Sequence, residues 1–230
     1  MPPWKEGPPL PLAISQDDIE QASVRIRPLA RETPVLESDR LNERASASLF
    51  LKAENLQRGG SFKLRGAANF VRRIPREDLS AGVVAFSSGN HAQAVAIAAR
   101  DAGARATIVM PSDAPRVKLE GTRSWGAEVI FYDRFQEDRE AVARAVLAER
   151  GGTLIPPFDH PWVIAGQGTC ALELMRQAPE LDALLVCLGG GGLLAGCAVA
   201  AKAANPAIRV FGVEPLAGND GQQSLRGGKR

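Results

Sequence analysis

The sequence predicts an open α/β protein built on mostly parallel sheets, and three observations carry that reading. From about residue 83 onward, short apolar runs bounded by Gly, Pro or Asn alternate with longer amphipathic stretches. Several of the short runs are almost wholly apolar, as LLVCL at 184–188 shows, which suits a strand covered by helices on both faces. A composition of 45% apolar and 23% charged residues over 230 positions is that of a chain able to bury a core.

The elements follow in order. Proline-rich residues 1–14 are expected to form a flexible arm. Ser15 followed by Asp17 and Asp18 marks a helix start, where carboxylates meet the positive end of the dipole, and the helix runs through 19–26 before Pro28 and Pro34 end it. Strands are expected at 83–86, 106–110, 128–132, 153–155, 183–188 and 209–213. Helices fill the gaps at 92–102, 116–125, 136–150, 168–177 and 193–204. Because 82–155 holds four strands of its own, it is expected to form a smaller, separate lobe. Residues 15–81 and 156–230 would then make a larger lobe.

With 28 basic against 26 acidic side chains, the net charge is +2 and the signs are interspersed, so there is no electrostatic footprint for nucleic acid or anionic lipid. A small-molecule partner is expected instead. No stretch reaches the ~20 apolar residues of a membrane span, and the N-terminus lacks the apolar centre of a secretory signal, so the expected residence is cytoplasmic. Cys170, Cys187 and Cys197 show no CxxC spacing and read as buried thiols in a reducing compartment.

Three segments concentrate groups suited to chemistry. Gly189, Gly190, Gly191 and Gly192 lie between the LLVCL strand and a helix, where bare backbone N–H groups and the helix dipole suit a phosphate; a merely flexible turn has the same composition. Ser87, Ser88, Gly89, Asn90 and His91 follow another strand and open an alanine-rich helix. Ser88 or Asn90 there can serve as a helix cap, yet two hydroxyls, an amide and an imidazole exceed what a cap uses and could bind a carboxylate. Lys63, in SFKLRG behind Gly59 and Gly60, is by itself a solvated surface charge. It gains meaning beside an electrophile, because a cofactor carrying an aldehyde and a phosphate needs both a lysine and an anion-cradling loop.

Five motifs in register, ENLQRGGSFKLRGA, VVAFSSGNHAQAVAIAAR, ATIVMPSDAPRVK, GQGTCALEL and LLVCLGGGGLLAG, are similar to the pyridoxal-phosphate-dependent threonine/serine dehydratases of fold type II, a family that also contains serine racemase. The likeness runs from about Thr33 to Lys229. It implies two open α/β lobes, the larger (15–81 with 156–230) binding the cofactor and the smaller (82–155) on the substrate side, with pyridoxal 5'-phosphate as cofactor. Lys63 would be the Schiff-base lysine and α-proton base, with Phe62 beside the ring, Asn90 on the ring hydroxyl and the four glycines on the phosphate. Ser87, Ser88 and His91 would grip the substrate carboxylate, Ser88 also serving as acid/base on the opposite face.

The activity implied is conversion of L-threonine and L-serine to a 2-oxo acid and ammonia. Alternatives are serine racemisation, 3-hydroxyaspartate dehydration, or an inactive phosphate-binding remnant. By the same resemblance Glu214, the carbonyl of Gly218 and Asp220 would hold Mg²⁺ or Ca²⁺, since hard oxygen ligands suit these ions. A homo-oligomer is implied as well. The family's catalytic domain runs on beyond the point where this sequence stops and carries a Ser, Thr or Cys on the pyridine nitrogen. The resemblance therefore implies a larger lobe incomplete at the C-terminus, with an exposed sheet edge.

Overall fold

The computed structural model describes residues 12–228, so most of the proline-rich arm lies outside the described residues. The chain is α/β with parallel sheets, as its alternating pattern predicts. Helix α1 (Gln16–Ile26) opens with a reciprocal cap: Ser15 Oγ accepts from the Asp18 N–H at 3.2 Å, and the Asp18 carboxylate accepts from the Ser15 N–H at 2.8 Å. A short antiparallel pair, β1 (Val35–Leu36) with β2 (Leu51–Lys52), brackets α2 (Asp39–Ala45). Helix α3 (Lys63–Val71) and the single turn α4 (Arg76–Leu79) lead into the main alternation.

That alternation comprises β3 (Val83–Phe86), α5 (Asn90–Asp101), β4 (Ala106–Pro111), α6 (Arg116–Ser124), β5 (Glu128–Tyr132), α7 (Arg139–Arg150) and β6 (Thr153–Leu154). The four strands pair in the order β5-β4-β3-β6, all parallel. Every residue of β3 is buried, as a central strand covered on both faces must be. Helix α8 (Pro161–Gln177), β7 (Ala183–Cys187), α9 (Gly192–Ala204), β8 (Arg209–Val213) and α10 (Asp220–Gly227) complete the chain. Strands β7 and β8 pair in parallel with each other alone among the described residues, leaving the expected free sheet edges. Their outward face is apolar and open, with Leu185 68% and Val213 51% exposed.

Helix α8 is a full turn and more longer than the expected start at residue 168. Pro161 sits at its first turn behind His160, whose Nδ1 accepts the Trp162 N–H at 3.1 Å, so capping begins well upstream. Two glycines inside the helix are contact points between backbones. A Cβ on Gly166 would lie 2.5 Å from the Arg65 carbonyl oxygen in α3, and one on Gly168 would lie 2.9 Å from the Gly196 carbonyl oxygen in α9. Gly196 in turn presses on the Ile164 carbonyl and on the Gly168 nitrogen, 2.6 Å from a Cβ placed there. Since backbone cannot step aside as a side chain can, Gly196→Ala is expected to destabilise by about 1–3 kcal/mol or more, read as a lower urea midpoint with unchanged slope.

Arg65, fully buried on α3, ties this helix to its neighbours. Its guanidinium donates to both Glu54 oxygens at 2.8 and 2.7 Å, to both Glu173 oxygens at 2.7 Å, and to Thr169 Oγ1 at 3.1 Å. Lys52 adds a second cation on Glu173 at 2.8 Å. Burial pushes the Glu173 carboxyl up, but Arg65 and Lys52 hold it on balance below the usual value. Among the described residues no helix is long and apolar enough to cross a membrane.

Candidate active site

The first residue of α3 is Lys63, and the first of α9 is Gly192, at the end of the tetraglycine turn. Both helix N-termini open on one cavity of about 190 Å³, lined by Phe62, Lys63, Phe158, Gln167, Cys187 and Gly189 through Gly192 among others. Lys63 Nζ donates to the Pro157 carbonyl at 2.7 Å and lies 5.4 Å from the Phe62 ring centroid. Burial lowers its pKa from the ordinary lysine value, with nearby Cys187 opposing the shift, so the amine is more readily neutral than a solvated one. Cys187 itself is exposed, which corrects the expectation of three buried thiols. It closes β7 on the open face of the sheet, whereas Cys170 and Cys197 are buried.

The four glycines have different physical reasons. A Cβ on Gly190 would run into the Phe158 ring, and one on Gly192 would come within 2.6 Å of the Phe158 carbonyl oxygen. Gly191 holds φ at 84°, in the left-handed region. Beside Gly189 and Gly191 the space is empty. A group can therefore approach the bare backbone of the turn at the mouth of a 13-residue helix, the setting that suits an anion.

The second segment follows β3. Its helix cap is Gly89, with no side-chain capping bond, and Asn90 is the first residue of α5. Neither Ser88 nor Asn90 is used as a cap. Ser87 Oγ accepts the Gly89 N–H at 3.1 Å. His91 is buried, and its Nε2 lies 3.0 Å from the Ile155 carbonyl oxygen. A carbonyl can only accept, so Nε2 carries the proton and Nδ1 is left with its lone pair. Burial holds this imidazole down at about 4, the bond to Ile155 opposing and the charge of Lys63 adding to the shift.

A consequence for stability follows from that depressed value. Between about 6.5 and 4 the unfolded chain binds a proton that the folded one refuses, so folding stability falls as pH drops through this window and levels off below it. The loss is on the order of 3 kcal/mol for a shift of this size. Urea unfolding of wild type and His91→Gln at pH 7 and pH 4.5 is expected to show the wild type losing more.

One cation flanks this loop and another lies against the strand before it. Lys118, on α6, has its Nζ 3.2 Å from where a Gly89 Cβ would stand, and Arg139, the first residue of α7, has its guanidinium 5.3 Å from the Phe86 ring centroid. Neither has a carboxylate partner among the described residues. Their positions in sequence carried no signal beyond ordinary surface charge.

The Glu214 carboxylate accepts the N–H groups of Gly221 at 3.1 Å and Gln222 at 2.6 Å, so it holds the start of α10. Among the described residues no three His, Cys, Asp or Glu side chains gather as metal ligands.

Residues 26–230 match the family model described as pyridoxal-phosphate dependent enzyme. The chain belongs to this family. It is 55% identical over 211 residues to an L-threo-3-hydroxyaspartate ammonia-lyase of Saccharomyces cerevisiae, covering 92% of this chain and 65% of the relative. It is 52% identical to a serine racemase of Schizosaccharomyces pombe, covering 92% and 66%. Among solved structures, the T.th. threonine deaminase superposes with a TM-score of 0.88 at 47% identity, covering 94% of this chain and 70% of that one. The chain spans about two thirds of the length of the curated relatives it matches. The residues present fit the family's cofactor: a half-buried amine and a glycine cradle open at the backbone line one cavity. Pyridoxal phosphate supplies an aldehyde for the amine and a conjugated ring that accepts the electron pair left when a substrate α-proton departs.

Proposed function

We propose that this chain forms the cofactor and substrate core of a lyase that removes water and then ammonia from a β-hydroxy amino acid, with 3-hydroxyaspartate and serine as substrates ahead of threonine. The observation that carries the preference is Lys118, a cation with no carboxylate partner among the described residues, whose Nζ stands 3.2 Å from where a Gly89 Cβ would be, in the loop of Ser87 and Ser88. A dicarboxylate offers a second anion for which serine and threonine have no counterpart. The greater identity to the hydroxyaspartate lyase and serine racemase relatives, 55% and 52% against 42% for a threonine ammonia-lyase relative, points the same way.

In this reading Lys63 would hold the cofactor, and its Nζ takes the substrate α-proton, aided by the lowered pKa that burial produces. Phe62 would pack beside the cofactor's ring, Asn90 would bond its hydroxyl, and Gly189, Gly190, Gly191 and Gly192 would bind its phosphate. Ser87, Ser88 and the His91 segment receive the α-carboxylate. The smaller lobe is 82–155, and what supports the division is that its four strands pair only with one another. The larger lobe, 15–81 with 156–230, carries the cofactor. A homo-oligomer in the cytoplasm completes the proposal.

A second reading, serine racemisation, draws on Ser88, whose side chain makes no hydrogen bond within the described residues and so is available as proton donor on the face opposite Lys63. Incubating cofactor-loaded protein with L-threo-3-hydroxyaspartate, L-serine and L-threonine, then measuring oxo acid, ammonia and D-serine, separates these outcomes. Hydroxyaspartate is expected to turn over fastest; threonine fastest would contradict the preference, and D-serine without oxo acid would favour the racemase. Lys118→Ala is expected to raise KM for hydroxyaspartate by about 10- to 100-fold, the range of a hydrogen bond to a charged group, and to leave KM for serine far less changed.

A further inference from the structure

Gln167, on α8 between the two contact glycines, is 1% exposed yet lines the cavity that holds Lys63 and the tetraglycine turn. Its Oε1 accepts the Gly66 N–H at 3.2 Å, one of the unpaired donors in the first turn of α3. Because only oxygen can accept that bond, the carboxamide is fixed in one orientation, with Nε2 as its free end. Nε2 donates to no acceptor among the described residues. The nitrogen is not sealed in by protein, so its open side is the cavity that Gln167 lines. The same cavity carries the backbone donors of the glycine turn and the N-terminus of α9, and all of these favour an anionic oxygen.

We propose that Gln167 is a phosphate-binding residue, its Nε2 donating to the phosphate of the cofactor while its Oε1 fixes the helix that carries Lys63. One side chain then couples anion binding to the placement of the reactive amine. This inference rests on the cofactor reading above.

Gln167→Glu separates the two ends of the side chain. The carboxylate still accepts from Gly66, in a helix first turn that favours negative charge, so the melting temperature of the apo protein should be unchanged or higher. Facing the phosphate, it replaces a donor with a like charge. Affinity for pyridoxal phosphate and for inorganic phosphate is expected to fall by about 10-fold or more, with that for pyridoxal, which lacks the phosphate, nearly unchanged. Titrations of apo protein by equilibrium dialysis read all three.

In wild type labelled with ¹⁵N-glutamine, the side-chain amide signal that disappears in Gln167→Met should shift when inorganic phosphate is added. This holds the test open even if Gln167→Glu fails to fold. Unchanged phosphate affinity in Gln167→Glu, an equal loss for pyridoxal, or an amide signal indifferent to phosphate each overturns the inference. Wild-type protein that binds pyridoxal phosphate while Gln167→Glu binds it equally well sinks this inference alone. Wild type that takes up no cofactor sinks the cofactor reading with it.

Discussion

Lys63→Ala is expected to bind pyridoxal phosphate without covalent capture and to lose turnover of every amino-acid substrate by roughly 10²- to 10⁴-fold from the missing proton transfer alone. The fold should survive. Within the described residues the ammonium makes one hydrogen bond, to Pro157, and its burial is unfavourable to its own charge, so removing it takes little from stability. Lys63→Arg is the sharper companion, because it keeps a positive charge near the Pro157 carbonyl yet cannot condense with an aldehyde. Both variants are checked by the visible absorption of the bound cofactor, oxo acid release and a thermal melt. A large drop in melting temperature would mean that Lys63 holds the structure together rather than the ligand.

Arg65→Met is expected to do the reverse, destroying stability before chemistry. The guanidinium is wholly buried, and all of its partners lie around α3. Without it, Glu54 and Glu173, with side chains 13% and 18% exposed, face each other with Lys52 on Glu173 as the remaining nearby cation. Breaking such a buried arrangement from one side costs about 3–5 kcal/mol, a large part of the 5–15 kcal/mol typical of a domain. The measurement is urea unfolding of Arg65→Met beside a triple variant in which Glu54 and Glu173 become Gln as well. The triple variant should recover part of the loss, because the stranded charges are gone.

The alternation of 83–213 was legible because its strands are apolar runs and its helices amphipathic. The strand starts at 83, 106, 128, 153, 183 and 209 coincide with the observed ones. Boundaries slipped where local chemistry outweighed pattern. Helix α7 begins at Arg139 rather than 136 because Asp138 caps it, accepting from the Ala141 N–H at 2.7 Å. Helix α8 starts at Pro161 rather than 168 because His160 caps it, and Gly166 and Gly168 are backbone crossing points visible only in three dimensions. The short pair of β1 and β2, each two residues long, leaves almost no periodic trace.

At the site, chemistry concentrated in contiguous motifs was readable, and chemistry assembled across the fold was not. Lys63 and the tetraglycine turn stand out in sequence, but the cavity that joins residues more than a hundred positions apart does not. Arg65 lies two residues from Lys63, within a motif already singled out. Its burial depends on Glu54 and Glu173, which read as ordinary solvated carboxylates. Gln167 and Lys118 gain significance only from what stands near them. The hydrogen bond of His91 to Ile155 likewise required the start of α5 to meet the end of β6.

The most direct test of the central claim is to load wild-type protein with pyridoxal phosphate, reduce it with borohydride and map the digested peptides by mass. The cofactor should be found on the peptide containing Lys63, once per chain, and excess inorganic phosphate competing for the glycine turn should lower the yield. Label on another lysine, or reduced protein carrying none, would contradict the assignment of Lys63 and the glycine turn to a single cofactor site.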